Sequence, residues 1–424
     1  MKIVLTIVHF LLIILAVYAL EKRAGVTNRK LFWLAFIFHL VAGLSVGVVY
    51  TYYYSANDTW QFFADAEKLS AIAHNDFFSY LRTLFSFGEN LNISTINQDL
   101  RSIFFIKIIS VFCWLSMDSY WVCAGYFSLL AFVASWQLHN KITVIFQDSE
   151  LASALAFLFF PSIVFWSSGL EKEALALSCI YFLSAVFLSI MTNEKIGKLY
   201  WPLILITCWI VWSLKYYWVA VFFISSATSF ATKLISTRFS WSKEHPMGTW
   251  IILLVVLGAI TSFSHPNFYP ADFLEMIISN HKAFTDISMD NNLIHFYHLQ
   301  ATWTSVIINM PWAIVSGIFR PFIGEGHGLL GLIASVENLF ILLLFVTSLG
   351  NAKKTFQSPW KLLVFALLSY CVVLCVFLAL STPNFGTLSR YRVGFLPFLV
   401  FVFAYRNPLL GYVKEKLSSG HQAI

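Results

Sequence analysis

KIVLTIVHFLLIILAVYALEKRAGVTNRKLFWLAFIFHLVAGLSVGVVY, residues 2–50, decides the fold class. Two apolar runs flank the basic segment EKRAGVTNRK (21–30). Each run is close to the roughly 20 residues that a helix needs to cross a hydrocarbon core about 30 Å thick. Backbone polar groups in lipid must be satisfied within their own segment, so such runs are helices. The four basic residues between them cannot enter the core and stay on one side.

The same pattern continues outward. Apolar runs at about 31–54, 119–138, 151–168, 173–192, 199–214, 217–233, 248–264, 328–349, 359–380 and 392–406 join 3–20 to give about eleven spans. The expected fold is an all-α polytopic transmembrane helix bundle, a single domain over 1–424. Segment 102–117 is apolar but interrupted by Lys107, so it reads as an interfacial or re-entrant helix. Composition agrees: 59% of residues are hydrophobic and 11% charged, where a soluble domain carries roughly 25% charged. The net charge of +6 is spread through loops, and no basic patch with interleaved aromatics is present, so nucleic acid is not expected as a partner. All six cysteines fall in apolar stretches, which suits neither a disulfide framework nor a metal loop.

Lys and Arg in short loops mark the cytoplasmic side. Segment 21–30, Lys195 and Lys198, segment 233–247, the loop Asn351 to Lys354 and the tail 407–424 fall on one side when alternate loops are skipped. The N-terminus then faces outward, with 1–30 an extra span and cytoplasmic loop. Val17 and Ala19 also allow a cleaved signal peptide as the alternative. Two outer segments are long, 55–118 and 265–327, and loops of that size are commonly functional.

The candidate chemistry lies on that outer side. YYYSANDTWQFFADAEKLS (52–70) places Asp58 and Asp65 beyond a membrane helix. A carboxylate at the mouth of a water-filled cavity takes a proton from an acceptor hydroxyl or positions a metal; the plainer reading of Asp58 is a helix cap. FFPSIVFWSSGLEKEALAL (159–177) puts Glu171, Lys172 and Glu173 at one turn, and WSLKYYW puts Lys215 at another. NMPWAIVSGIFRPFIGEGHG (309–328) brings Arg320, Glu325 and His327 before a span, and STPNFGTLSRYRVGFLPF (381–398) brings Arg390 and Arg392. Outer arginines run against the positive-inside bias, and the guanidinium fork matches phosphate oxygens; contact with anionic lipid is the alternative. His295 and His298 are three apart, which is weak evidence for a metal without a third ligand. Glu337 is the one plausible carboxylate within the bilayer.

The stretch Asp58-Thr-Trp-Gln-Phe-Phe-Ala-Asp-Ala66 after a membrane helix resembles the first outer loop of GT-C-type membrane glycosyltransferases, the protein mannosyltransferases and aminoarabinose transferases. PSIVFWSSGLEKE (161–173), FRPFIGE (319–325) and TLSRYR (387–392) resemble segments of membrane proteins from bacterial surface-polysaccharide loci. The resemblance covers about 31–406. The chain departs from the pattern in its extra first span, in having no large soluble domain after the bundle, and in Asn57 where a Gly is usual. The resemblance implies a bacterial inner-membrane enzyme moving a sugar from a polyprenyl-phosphate-linked donor to a glycan or glycolipid acceptor among membrane lipids. It implies Asp58 as base or metal-positioning carboxylate, with Asp65 in support, and a divalent cation as the conceivable cofactor. Arg320, Arg390, Arg392, Lys215 and Lys172 would hold the phosphate, with Glu171, Glu325 and His327 as further candidates. A surface-polysaccharide polymerase or ligase and a lipid or solute transporter are the alternatives.

Overall fold

The structure is a computed structural model that describes residues 2–54, 57–86, 95, 99–263, 266–351 and 360–420. Most of the basic 351–354 loop lies outside these residues. The helices in chain order are α1 (Lys2–Arg23), α2 (Arg29–Tyr52), α3 (Asp58–Asn75), α4 (Phe77–Phe85), α5 (Leu100–Ser116) and α6 (Tyr120–Ile145). Next come α7 (Glu150–Ser153), α8 (Pro161–Ser168), α9 (Lys172–Met191), α10 (Tyr200–Ser236), α11 (Ser240–Glu244) and α12 (Pro246–Ser262). The chain ends with α13 (Pro270–Ile287), α14 (Trp303–Phe319), α15 (Gly328–Ser348), α16 (Lys361–Ser381), α17 (Phe385–Tyr391), α18 (Leu396–Ala404) and α19 (Pro408–Gly420). Among the described residues there is no strand, only an isolated antiparallel bridge between Leu293 and Asn384.

Among the described residues seven helices are long and apolar enough to cross a membrane, and up to nine if two bent pairs each make one span. The chain is an integral multi-pass membrane protein. Helix α1 shows which solvent it meets. Its buried residues His9, Ile13, Val17 and Glu21 fall every fourth position, while Ile3, Val4, Ile7, Leu11 and Leu15 on the other faces are exposed. A helix that turns aliphatic side chains outward and hides a His and a Glu is built for lipid.

The expectation of about eleven spans is not matched, for local reasons. Runs 199–214 and 217–233 are two helices meeting at Lys215, as the sequence suggests, but they run on through that kink (φ −144°, ψ 63°) as the 37-residue α10 and so count once among the candidate spans. Run 151–168 is bent by 46° at Pro161: the helix widens into a π-helix at Ala154–Phe159, and Phe160 is extended, as the proline after it favours. Run 392–406 yields only the nine residues of α18, joined to the segment before it at 70°. Run 248–264 gives the 17-residue α12, and α14, of equal length, lies where a long outer loop was expected. Segment 102–117 is the helix α5. Its interrupting Lys107 is buried and donates to the Ser86 carbonyl at 2.7 Å and the Ser86 hydroxyl at 3.2 Å.

The chain divides into two compact units. Unit 1 comprises Met1–Lys141, Phe157–Ile190 and Lys195–Tyr216. Within it α3 packs lengthwise on α5, and α2 on α8. Glycines make the second approach possible. A Cβ on Gly43 would fall 2.1 Å from Ser128 Oγ and 2.4 Å from the Ser168 carbonyl, and one on Gly169 would fall 2.7 Å from Val46. Small residues at such crossings let membrane helices come close. At the opposite end of α2, Glu21 accepts from Arg29, and from Trp33 Nε1 at 3.0 Å.

Unit 2 comprises Ile142–Ala156, Met191–Glu194 and Tyr217–Ile424. Helix α16 packs on α13 and α14, and α18 packs on α7, α15 and α16. Tyr370 donates to the Gly394 carbonyl at 2.8 Å, and a Cβ on Gly394 would meet the Trp218 indole at 2.4 Å. That glycine therefore fixes where α18 turns off from the segment before it.

Candidate functional site

The first candidate site is built in unit 1 where α2 ends and α3 begins. Thr59, fully buried, is its hub. Its hydroxyl donates to the Leu170 carbonyl at 2.9 Å and accepts from the Tyr120 hydroxyl at 2.9 Å. Trp60 stacks on Tyr120 at 3.9 Å and its indole donates to the Gly47 carbonyl at 3.2 Å. Three segments distant in sequence, the start of α3, the start of α6 and the α8–α9 turn, are thereby pinned together.

That turn delivers charge. Glu171 and Glu173 are buried, and Lys172 lies between them at the start of α9. Glu173 pairs at 2.6 Å with Lys215, at the break in α10, and both side chains are less than a tenth exposed. The non-helical backbone of Lys215 thus coincides with the position where α10 commits a cation to the cluster. Lys172 Nζ donates to Ser102 Oγ at 2.6 Å and lies 4.7 Å from the Phe62 ring centre. The Ser102 hydroxyl in turn donates to Asp99, whose other oxygen accepts from the Ser102 amide at 3.0 Å and so caps α5. Partial burial pushes the Asp99 carboxyl up, but the hydrogen bonds from Ser102 and the charges of Lys172 and Arg101 outweigh it and hold it below the usual carboxylate range. Arg101 lies 5.0 Å from the Tyr216 ring centre.

Asp58 is the first residue of α3 and half-buried, where the helix dipole favours a carboxylate. Asp65, two turns on, is wholly buried and paired with Lys68 at 3.1 Å. The structure therefore gathers the α3 start, Glu171, Lys172, Glu173 and Lys215 at one end of unit 1, while Asp65 is buried two turns further along α3. Sequence reasoning missed Thr59, Tyr120, Asp99, Arg101 and Ser102. Only Asp99 and Ser102 carried a signal, as a helix-start pair at cap spacing.

The second set of candidates lies in unit 2. Arg320 follows α14 and closes on Glu325 with both edges of its fork, Nε to Oε2 and Nη2 to Oε1, each at 2.9 Å. Glu325 also accepts from the Phe322 amide at 2.8 Å. The guanidinium lies 5.3 Å from the Trp312 ring centre and 4.9 Å from that of Phe385. Arg390 lies 5.3 Å from the Tyr391 ring centre. Arg392, expected at an outer helix end, is buried, with Nη1 donating to Asn338 Oδ1 at 2.8 Å. His327 is exposed at the start of α15. His295 lies 3.6 Å from Asp290. Among the described residues no three His, Cys, Asp or Glu side chains are grouped to hold a metal ion. An apolar cavity of about 340 Å³ lies in the same unit, lined by Ile224, Leu254, Phe273, Trp303, Val373 and Phe377 among others.

Compared with protein-family models, with characterised proteins and with solved structures, the chain matches none.

Proposed function

We propose that this chain is a membrane glycosyltransferase of the bacterial cell envelope. It moves a sugar from a polyprenyl-phosphate-linked donor to a glycan or lipid acceptor on the non-cytoplasmic face. The observation that carries the reading is the buried charge cluster of unit 1, where the first turn of α3, the Glu171–Glu173 turn and Lys215 are drawn together. Such a cluster is costly in a membrane protein unless charge is handled there. In the proposed step Asp58 takes the proton of the acceptor hydroxyl, whose oxygen bonds to the anomeric carbon. The bond from that carbon to the donor phosphate breaks, and polyprenyl phosphate leaves with the electron pair. Lys172, and a divalent cation if one is held, would stabilise the charge on the departing phosphate. Arg320 supports this less directly, because Glu325 already occupies its fork.

The test is the mass spectrum of lipids that co-purify with the protein, followed by turnover of the lipid found. A polyprenyl phospho-sugar is expected, and Asp58→Asn should lower its turnover by roughly two orders of magnitude or more with the protein level unchanged. Near-normal turnover would reduce Asp58 to a helix-start residue.

One observation favours a transporter as the second reading: the two helix pairs broken at 46° and 70°. Discontinuous helices commonly surround transported substrates. Net flux of an intact lipid or solute across vesicles, with no sugar transferred, would decide for it. A polymerase or ligase remains distinguished from the transferase by a product that survives loss of Asp58 and of divalent cations.

A further inference from the structure

Arg392 is 1% exposed, so each of its donors requires an acceptor inside the protein. Nη1 has Asn338 Oδ1 at 2.8 Å, with the Ile318 and Arg320 carbonyls at 3.5 Å. Nε and Nη2 are buried and have no acceptor among the described residues. These two nitrogens form the side edge of the guanidinium, two parallel N–H groups that take both oxygens of a carboxylate or two of a phosphate. Arg320 shows the same edge filled, by the two oxygens of Glu325. Glu337, beside Asn338 on α15, is close enough for its charge to act on Arg392 but does not bond to that edge. The buried Ser316 hydroxyl also has no partner among the described residues, and it lies in the last turn of α14, which ends at Ile318, Phe319 and the cap residue Arg320.

We propose that the open edge of Arg392 seats a two-oxygen anion, a carboxylate or a phosphate group, inside unit 2 where the chain turns into α18. Asn338 orients the guanidinium by holding Nη1, and it is itself fixed by donating to the Pro321 carbonyl at 3.0 Å. The anion comes either free from solution or as a lipid headgroup. The site is built from unit 2 residues alone and stands whichever reaction the unit 1 cluster performs.

The full chain is purified in detergent and its thermal unfolding followed while inorganic phosphate or acetate replaces chloride at constant ionic strength. A free anion at Arg392 gives a saturable rise of the midpoint in phosphate or acetate, absent from Arg392→Lys, which keeps the charge but loses the edge. Arg320→Lys, altering an edge already filled, keeps the rise. A lipid headgroup instead gives no response to added anion. It leaves lipid phosphate in the organic extract of the denatured wild type, near one per chain above the level in Arg392→Lys. Where Arg392→Lys does not fold, Asn338→Asp serves. A carboxylate beside the guanidinium should weaken the free-anion response, or deplete the bound lipid, by roughly tenfold. An equal response to chloride, a response or lipid content unchanged in Arg392→Lys or Asn338→Asp, or neither signal in the wild type overturns the proposal.

Discussion

Lys215 with Glu173 in unit 1 and Arg320 with Glu325 in unit 2 are both pairs of one cation and one carboxylate, and they hold different things. The first joins the break in α10 to the start of α9, with both side chains nearly dry. The second closes a loop between residues five apart, with the Glu325 side chain 31% exposed. Unit 1 thus spends its charges on bringing distant segments to one place, and Thr59 does the same with hydrogen bonds. The Arg320 guanidinium is answered by its own neighbourhood. Outer arginines in a sequence are therefore weaker evidence for a ligand than charges that the fold collects from separate helices.

The comparison is broken most strongly at Lys215. Lys215→Met leaves Glu173 buried without that partner and should cost about 3–5 kcal/mol, measured as unfolding in detergent. Adding Glu173→Leu should restore most of the loss, because an apolar pair of similar volume needs no compensation. A single variant as stable as the parent would show that water reaches the pair. Thr59→Val is the next effect in size. It keeps the shape but leaves the Leu170 carbonyl and the Tyr120 hydroxyl short of one partner, at roughly 1–3 kcal/mol. An unchanged midpoint would remove Thr59 as the hub.

Glu325→Gln should be the smallest, at about 0–1 kcal/mol for a partly exposed pair. Its pH dependence sharpens the contrast. Burial pushes the Glu325 carboxyl up, but the hydrogen bonds from Arg320 and the Phe322 amide outweigh it and hold it below the usual range. The contribution is therefore full above the unfolded value of about 4.3 and is lost as pH falls through the lower folded value. Between pH 5 and 8 the stability difference between parent and Glu325→Gln should be flat. A difference that opens within that interval contradicts the assignment.

Membrane character was legible in the sequence because length and apolarity alone decide it, as α1 and α2 show. The breaks were less so. Pro161 signalled one and the charge of Lys215 in WSLKYYW signalled another, but the 70° turn into α18 was not readable from 392–406, which the sequence presents as one apolar run. The unit 1 cluster was half legible. Asp58, Glu171, Lys172 and Lys215 stand out as charges beside apolar runs, whereas Thr59 and Tyr120 act through long-range hydrogen bonds that no local pattern encodes. Arg392 shows the converse. Its residue type suggested an outer phosphate ligand, while its burial depends on the turn into α18 at Gly394, where the Trp218 indole packs.

The account rests on the unit 1 charge cluster lying on the non-cytoplasmic side, and thiol labelling tests that most directly. Asn75 at the end of α3 and Thr27 between α1 and α2 are both exposed. Each is replaced singly by Cys in a background free of other cysteines, and intact cells are treated with a membrane-impermeant maleimide. Asn75→Cys should be labelled at once, and Thr27→Cys only after the membrane is opened. The reverse pattern would put the charge cluster on the cytoplasmic side and contradict the proposed transfer at the outer face.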